Sequence, residues 1–273
     1  MKFLPTTKEE MKSLGWDSID VLLISGDTYL DTSYNGSALV GKWLVEHGFK
    51  VGIIAQPEVD VPDDITRLGE PNLFFAISGG CVDSMVANYT ATKKRRQQDD
   101  FTPGGENNKR PDRAVLVYSN MIRRFFKGTT KKIVISGIES SLRRITHYDY
   151  WTNKLRKPIL FDAKADILSY GMGEMSMLQL ANALKNGEDW QNIRGLCYLS
   201  KEPKEDYLSL PSHADCLADK DKFIEAFHTF YLNCDPITAK GLCQKCDDRY
   251  LIQNPPSESY SEDIMDTIYS MEF

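Results

Sequence analysis

Lys131-Lys132-Ile133-Val134-Ile135-Ser136-Gly137-Ile138-Glu139-Ser140-Ser141-Leu142-Arg143-Arg144 is the stretch around which the other segments arrange themselves. Its apolar run, Ile133 to Ile135, has the continuity of a strand buried on both faces of a parallel sheet. The run breaks at Ser136-Gly137 into what reads as a loop carrying hydroxyls, one acid and two arginines. The same step recurs three times. Asp20 to Ile24 leads into Ser25-Gly26-Asp27, Asn72 to Ile77 into Ser78-Gly79-Gly80, and Asp166 to Tyr170 into Gly171-Met172-Gly173-Glu174. Open α/β sheets hold ligands outside the carboxyl ends of their strands. Four glycine-bearing exits therefore predict one shared crevice.

Working outward, the segments alternate as such a sheet requires. A short helix after Pro5 is signalled by Thr7-Lys8-Glu9-Glu10, the spacing of a capping box. A helix from Ser37 to His47, stopped by Gly48, and a strand from Lys50 to Ala55 complete a right-handed βαβ unit. Pro62 opens a short helix, and Asp112 to Gly128 reads as a longer one with Val115, Tyr118 and Ile122 on its buried side. Pro158 to Asp162 and Ala165 to Tyr170 read as two short strands, Glu174 to Lys185 as a helix, and Trp190 to Leu199 as a last strand beside the sheet. The pattern changes near residue 200. Residues 201–273 read as a small, mainly helical extension, with helices from Asp219 to Tyr231 and Ser261 to Met271 and a polar turn at Cys243-Gln244-Lys245-Cys246. The expected organisation is an α/β domain over 1–200 followed by that extension.

The chain has 273 residues, 41% of them apolar and 26% charged, the balance of an ordinary globular protein. Its net charge of −6 argues against a nucleic-acid binder that relies on neutralising phosphates. No apolar run is long enough to span a membrane, and the start, Met1 to Pro5, has no signal-peptide core. The cytoplasm is the expected compartment. Six cysteines are too sparse for a disulfide scaffold. Cys243 and Cys246 have metal-ligand spacing but lack a second pair, so free thiols on a loop are expected there. The basic run Lys93 to Arg96 sits beside Asp99-Asp100 and reads as a solvated face rather than an anion contact.

Neither a dinucleotide fingerprint nor a P-loop is present. Ser140, His147 and Asp149 could be assembled into a triad on paper, but triads are defined by geometry. Arg143 and Arg144 beside Ser140 and Ser141 suit a phosphate or carboxylate. The alternative is that an arginine pairs with Glu139 or Asp149 and merely holds the loop.

Longer segments carry a resemblance. Leu14-Gly15-Trp16-Asp17-Ser18, Gly48 to Pro57, Arg67 to Phe75, Lys109 to Ala114, Gly137 to Arg144 with His147-Tyr148-Asp149-Tyr150-Trp151, and Asp248-Arg249-Tyr250 with Asn254-Pro255-Pro256 together resemble the N-terminal portion of the YgiQ family of radical S-adenosylmethionine proteins. The resemblance implies a flavodoxin-like, cobalamin-binding-domain-like three-layer sandwich ahead of a radical SAM barrel in the same polypeptide. It also implies a 4Fe-4S cluster and S-adenosylmethionine in the full-length protein. The three-cysteine motif that would hold the cluster is absent here, so the expectation is a chain cut before the barrel and inactive alone. Cobalamin domains with a protein ligand to cobalt carry Asp-x-His-x-x-Gly. The matching stretch here is Asp31-Thr32-Ser33-Tyr34-Asn35-Gly36, with serine for histidine. Cobalamin would therefore have to bind through the crevice alone.

The candidate cofactor-binding residues are Gly26, Asp27, Asp31, Gly36, Ser78, Gly79, Gly80, Gly137, Glu139, Ser140, Ser141, Arg143 and Arg144, with no metal ligands and no assigned catalytic residue. The expected function is an accessory domain that positions substrate or cofactor for the barrel. The alternatives are a self-sufficient α/β enzyme acting on a phosphorylated or carboxylated small molecule, using Asp27, Glu139 and the arginines, and an interaction scaffold.

Overall fold

A computed structural model describes residues 3–273; Met1 and Lys2, the start of the segment read for a signal peptide, lie outside the described residues. In chain order the elements are α1 (Lys8–Ser13), β1 (Val21–Ser25), α2 (Gly36–Glu46), β2 (Val51–Ala55), α3 (Pro62–Thr66), β3 (Phe74–Ser78), α4 (Ser84–Asn88), α5 (Ala114–Phe125), β4 (Lys132–Ser136) and α6 (Gly137–Ser141). They continue with β5 (His147–Asp149), β6 (Lys154–Arg156), α7 (Ile159–Ala163), β7 (Ile167–Ser169), α8 (Glu174–Asn186), β8 (Leu196–Ser200), β9 (Leu208–Leu210), α9 (His213–Ala218), α10 (Lys220–Tyr231), β10 (Leu242–Cys246), β11 (Arg249–Gln253) and α11 (Glu262–Ser270).

Nine strands form one sheet in the order β2-β1-β3-β4-β7-β8-β11-β10-β9. The first five run parallel in the flavodoxin-like order, in which the chain changes direction across the sheet between β1 and β3. β8 turns antiparallel against β7, and β11 continues antiparallel between β8 and β10. The architecture is an open, mostly parallel α/β sheet with helices on both faces. On one face Leu22, Ile24, Phe75, Ile133 and Ile135 form a core packed under α1, α3, α5, α7 and α10. On the other, Val21, Leu23, Phe74 and Val134 meet α2, α8 and α11. Strands sandwiched in this way must be apolar on both sides, which is why β1, β2, β3 and β4 read as continuous runs.

The capping box at Thr7 forms as expected, with Thr7 accepting from the Glu10 N–H and Glu10 from the Thr7 N–H. Three local expectations are corrected. Ser136-Gly137 opens the short helix α6 rather than a loop, and Pro158 to Asp162 falls mainly in helix α7 rather than a strand. So short an apolar segment has no period of its own, and pattern cannot tell a buried helical turn from a strand. His147–Asp149 and Lys154–Arg156 pair as an antiparallel hairpin outside the main sheet. The cysteine pair lies within strand β10, not in a turn. Residues 201–273 thus contribute α10 and α11 as anticipated, but also α9 and three strands that carry the sheet onward. Among the described residues no helix is long and apolar enough to cross a membrane.

Candidate functional site: a crevice at the carboxyl edge

Each of the four parallel strands that face the crevice ends in a serine: Ser25, Ser78, Ser136 and Ser169. Ser25 is in register with Ser78, and Ser78 with Ser136. Beyond this row the chain enters a cavity of about 340 Å³ whose lining includes Asp27, Ser78, Gly80, Gly137, Gly171 and Gly173. Gly36 and Ser37 close it from the start of α2, while Leu23, Ala76 and Met177 give it an apolar back wall. All four exits read from the sequence therefore meet at one cavity.

Close backbone approach explains two of the glycines. A Cβ on Gly26 would lie 2.1 Å from the Gly79 carbonyl oxygen, so the exits of β1 and β3 touch backbone to backbone. Gly80 has φ +112°, and a Cβ there would lie 2.1 Å from an Asp27 carboxylate oxygen. Glycine alone enters that conformation without strain.

Beneath this floor is a buried charge network. The Arg110 guanidinium, 1% exposed, pairs with Asp27 at 2.6 Å and Asp99 at 3.2 Å and donates to the Gly79 carbonyl oxygen at 2.7 Å. Asp27 in turn accepts from the Cys81 N–H at 2.6 Å. Burial would raise the Asp99 carboxyl, but hydrogen bonds from Arg110 and the Phe101 N–H hold it below the usual carboxylate range. Burial and the adjacent Asp27 push the Cys81 thiol up to about 12. A thiol in that state is a weak nucleophile near neutral pH.

The remaining candidates divide plainly. Asp27, Gly36, Ser78, Gly80 and Gly137 line the cavity, and Gly26 and Gly79 form its floor. Asp31 pairs instead with the buried Lys42 at 2.7 Å. Glu139 lies under Gly79, 2% exposed, accepting from the Ser84 N–H at 3.0 Å and the Val115 N–H at 3.2 Å. Burial, with Asp83 nearby, raises its carboxyl above the ordinary glutamate range. Arg143 pairs with Asp83 and donates to the Glu139 carbonyl oxygen. Arg144 stacks between Tyr170 and Phe230, 4.5 and 4.3 Å from the ring centroids, and donates to Gln253. Neither arginine lines the cavity, and both hold structure.

Ser140 and Ser141 also lie outside the lining, and the Ser140 hydroxyl is buried without a hydrogen-bond partner. His147 bonds through Nδ1 to the Ile145 carbonyl, while Asp149 pairs with Arg113 at 2.8 Å, so no Ser-His-Asp triad forms. The side chains that the independent-enzyme reading required are thus engaged in the fold. Sequence reasoning missed Ser37, Ser136, Ser169 and Arg110. The repeated Ser-Gly step was the available signal for Ser136; a lone arginine in a breaker-rich loop gave none.

The residues present do not fit an iron-sulfur cluster. Among the described residues no three of His, Cys, Asp and Glu are grouped to hold a metal, and four of the six cysteines are buried singly in the fold. A protein ligand to a cobalamin cobalt is not supplied either. No histidine is among the cavity-lining residues, Asp31 is engaged by Lys42, and Asn35 caps α2 by accepting from the Ser37 and Ala38 N–H groups. The cavity offers hydroxyls, glycine backbone and an apolar wall. Its acids are already satisfied, since Asp27 is ion-paired and Glu174 accepts from the Tyr260 hydroxyl at 2.7 Å. Hydroxyls, backbone groups and an apolar wall can hydrogen-bond and pack against a small molecule.

The radical SAM N-terminal family model matches residues 3–273. The chain belongs to that family. It is 95% identical over 273 residues to a UPF0313 protein of Fusobacterium nucleatum subsp. nucleatum, covering all of this chain and 48% of the relative. A UPF0313 protein of Thermotoga neapolitana is 48% identical over 274 residues, covering 99% of this chain and 48% of its own length. The chain spans about half the length of the curated relatives it matches. Among solved structures it is similar to the radical S-adenosylmethionine methyltransferase TsrM from Kitasatospora setae, determined with cobalamin and a 4Fe-4S cluster bound. There the TM-score is 0.43 at 16% identity, over 66% of this chain and 27% of that one, a likeness too slight to speak for ligands here.

Proposed function

We infer that this chain is the binding portion of a longer radical SAM protein, holding a substrate or cofactor at its carboxyl-edge crevice for a catalytic barrel elsewhere in the same polypeptide. The observation that carries this is the cavity itself: four strand exits converge on a glycine- and serine-lined hollow whose acids are already paired. Family membership and the greater length of the relatives support the rest of the reading. The 4Fe-4S cluster and S-adenosylmethionine belong, in this view, to the other portion. Cobalamin, if it is the crevice ligand, is held without a cobalt bond from this chain.

Filling the crevice tests the reading. A Cβ on Gly36 meets nothing within 4 Å, so Gly36→Leu enters the cavity without forcing the backbone. Hydroxocobalamin and S-adenosylmethionine are titrated against the wild-type chain and this variant. The full-length Fusobacterium relative carrying the matching change is assayed for 5′-deoxyadenosine release. Saturable hydroxocobalamin binding that Gly36→Leu abolishes, or loss of release in the filled full-length protein, is the expected result. No saturable binding together with unchanged release sinks the proposal.

A further inference from the structure

Helix α10 carries one wide apolar arc with two edges, opposite a polar side of Asp221, Lys222, Glu225 and Thr229. One edge belongs to the core, with Ala226 buried and Phe223 and Phe230 packed against it. The other presents Ile224, Phe227 and Tyr231, which are 61%, 53% and 67% exposed and recur at helical spacing. The apolar arc is thus wider than the part the core covers, leaving Ile224, Phe227 and Tyr231 to solvent. Leu217 on α9, 58% exposed, adds to the same surface. Between these helices and the β5–β6 hairpin runs a groove of about 590 Å³, lined by Tyr148, Leu155, Leu217, Phe223 and Ile224.

The core side of α10 is tied to the segment after α6. Arg144, one turn beyond α6, lays its guanidinium on the Phe230 ring of α10 and approaches the Cys234 sulfur at 3.8 Å. Ile138 and Leu142, four residues apart at α6, are 43% and 62% exposed, and Ile138 lines the crevice. Exposed apolar side chains thus occur at both ends of the Arg144 tether. Single exposed apolar residues need no explanation, but Leu217 and Ile224 border one groove with Tyr148 and Leu155, and a contiguous apolar patch of that kind marks an interaction surface.

We propose that the outer face of α10, with Leu217 and the adjoining groove, is the docking surface for the remaining portion of the full-length relatives. Length is the argument for that occupant: a polypeptide 95% identical to this one over all 273 residues has more than half of its length beyond the match. The inference rests on the reading of this chain as one portion of a longer protein. It adds the surface through which the two portions meet.

Hydroxyl-radical footprinting of the full-length Fusobacterium relative tests it, with labelling at each position referred to the same protein denatured in guanidinium. The positions matching Ile224, Phe227 and Tyr231 are expected to lose labelling as completely as Phe74 and Phe75 of the sheet core. Changing the position matching Phe227 to Asp should restore labelling at Tyr231 and Leu217 while the core stays protected. Labelling at the denatured rate in the intact protein overturns the proposal. So does protection that appears only in a dimer by light scattering, which would assign the surface to a second copy. The 5′-deoxyadenosine assay is read in parallel: a labelled α10 with normal release defeats the docking surface alone, whereas absent release defeats the broader reading.

Discussion

The two halves of the sheet are built on opposite rules. From β2 to β7 every strand runs the same way, so every exit falls on one edge and four short polar turns share one cavity. From β8 to β10 neighbours alternate in direction, and successive turns go to opposite ends. Parallel order concentrates chemistry at an edge; antiparallel order extends the sheet without adding to that edge. The difference predicts where the molecule is intolerant of change.

The largest effect is expected at Arg110. Replacing it with methionine strands two buried carboxylates beneath the crevice, a loss of about 3–5 kcal/mol when a buried pair is broken from one side. Equilibrium urea unfolding should show it; a change within about 1 kcal/mol, the size of a surface pair, would mean that the network does not support this edge. Gly80→Ala comes next, at about 3 kcal/mol, because it combines a disfavoured φ with a clash against Asp27. Gly171→Ala shares the positive φ, +74°, but has open space around its Cβ, and should cost only about 1 kcal/mol. Equal losses at the two glycines would show that backbone conformation alone, rather than the packed floor, sets the requirement.

The β5–β6 hairpin, inserted between β4 and β7 of the parallel half, adds a pH-dependent effect. Burial lowers the His147 pKa from its ordinary 6.5 to about 4. The unfolded chain takes up the proton first, so this residue's contribution is complete above pH 6.5 and drains as pH falls towards 4. At most about 1.4 kcal/mol per pH unit is at stake. Urea midpoints measured from about pH 7 down to about pH 4.5, which brackets most of that loss, should fall more steeply for the wild type than for His147→Gln; parallel curves would refute the assignment.

The parallel half was also the legible one. Strands covered on both faces leave continuous apolar runs, and Ser25-Gly26, Ser78-Gly79 and Ser136-Gly137 announce their exits directly. The extension beyond β7 was harder to see because β9, which pairs parallel with β10, has three residues and β10, Leu-Cys-Gln-Lys-Cys, carries polar side chains. Its cysteines show how spacing misleads. Side chains in a strand alternate, so residues three apart point to opposite faces. Cys243 packs with Tyr198 and Ile252, whereas Cys246 does not belong to that cluster. Charge pairing was the other blind spot. Arg143 and Arg144 advertise anion binding from sequence, yet their partners, Asp83 and Gln253, lie 60 and 109 positions away. Arg110 meets Asp27 with β2 and β3 intervening in the chain, a contact that only the completed fold brings about.

The segment between α4 and α5 looks dispensable by composition, being rich in glycine, asparagine and charge. Through Arg110 it instead works as a splint, gripping the Gly79 carbonyl and the Asp27 carboxylate from below. Cropping that segment to a tight connection would remove mostly exposed residues yet unpin two of the turns at the rim. Evolutionary or engineered shortening should therefore be tolerated only where another cation takes over the grip.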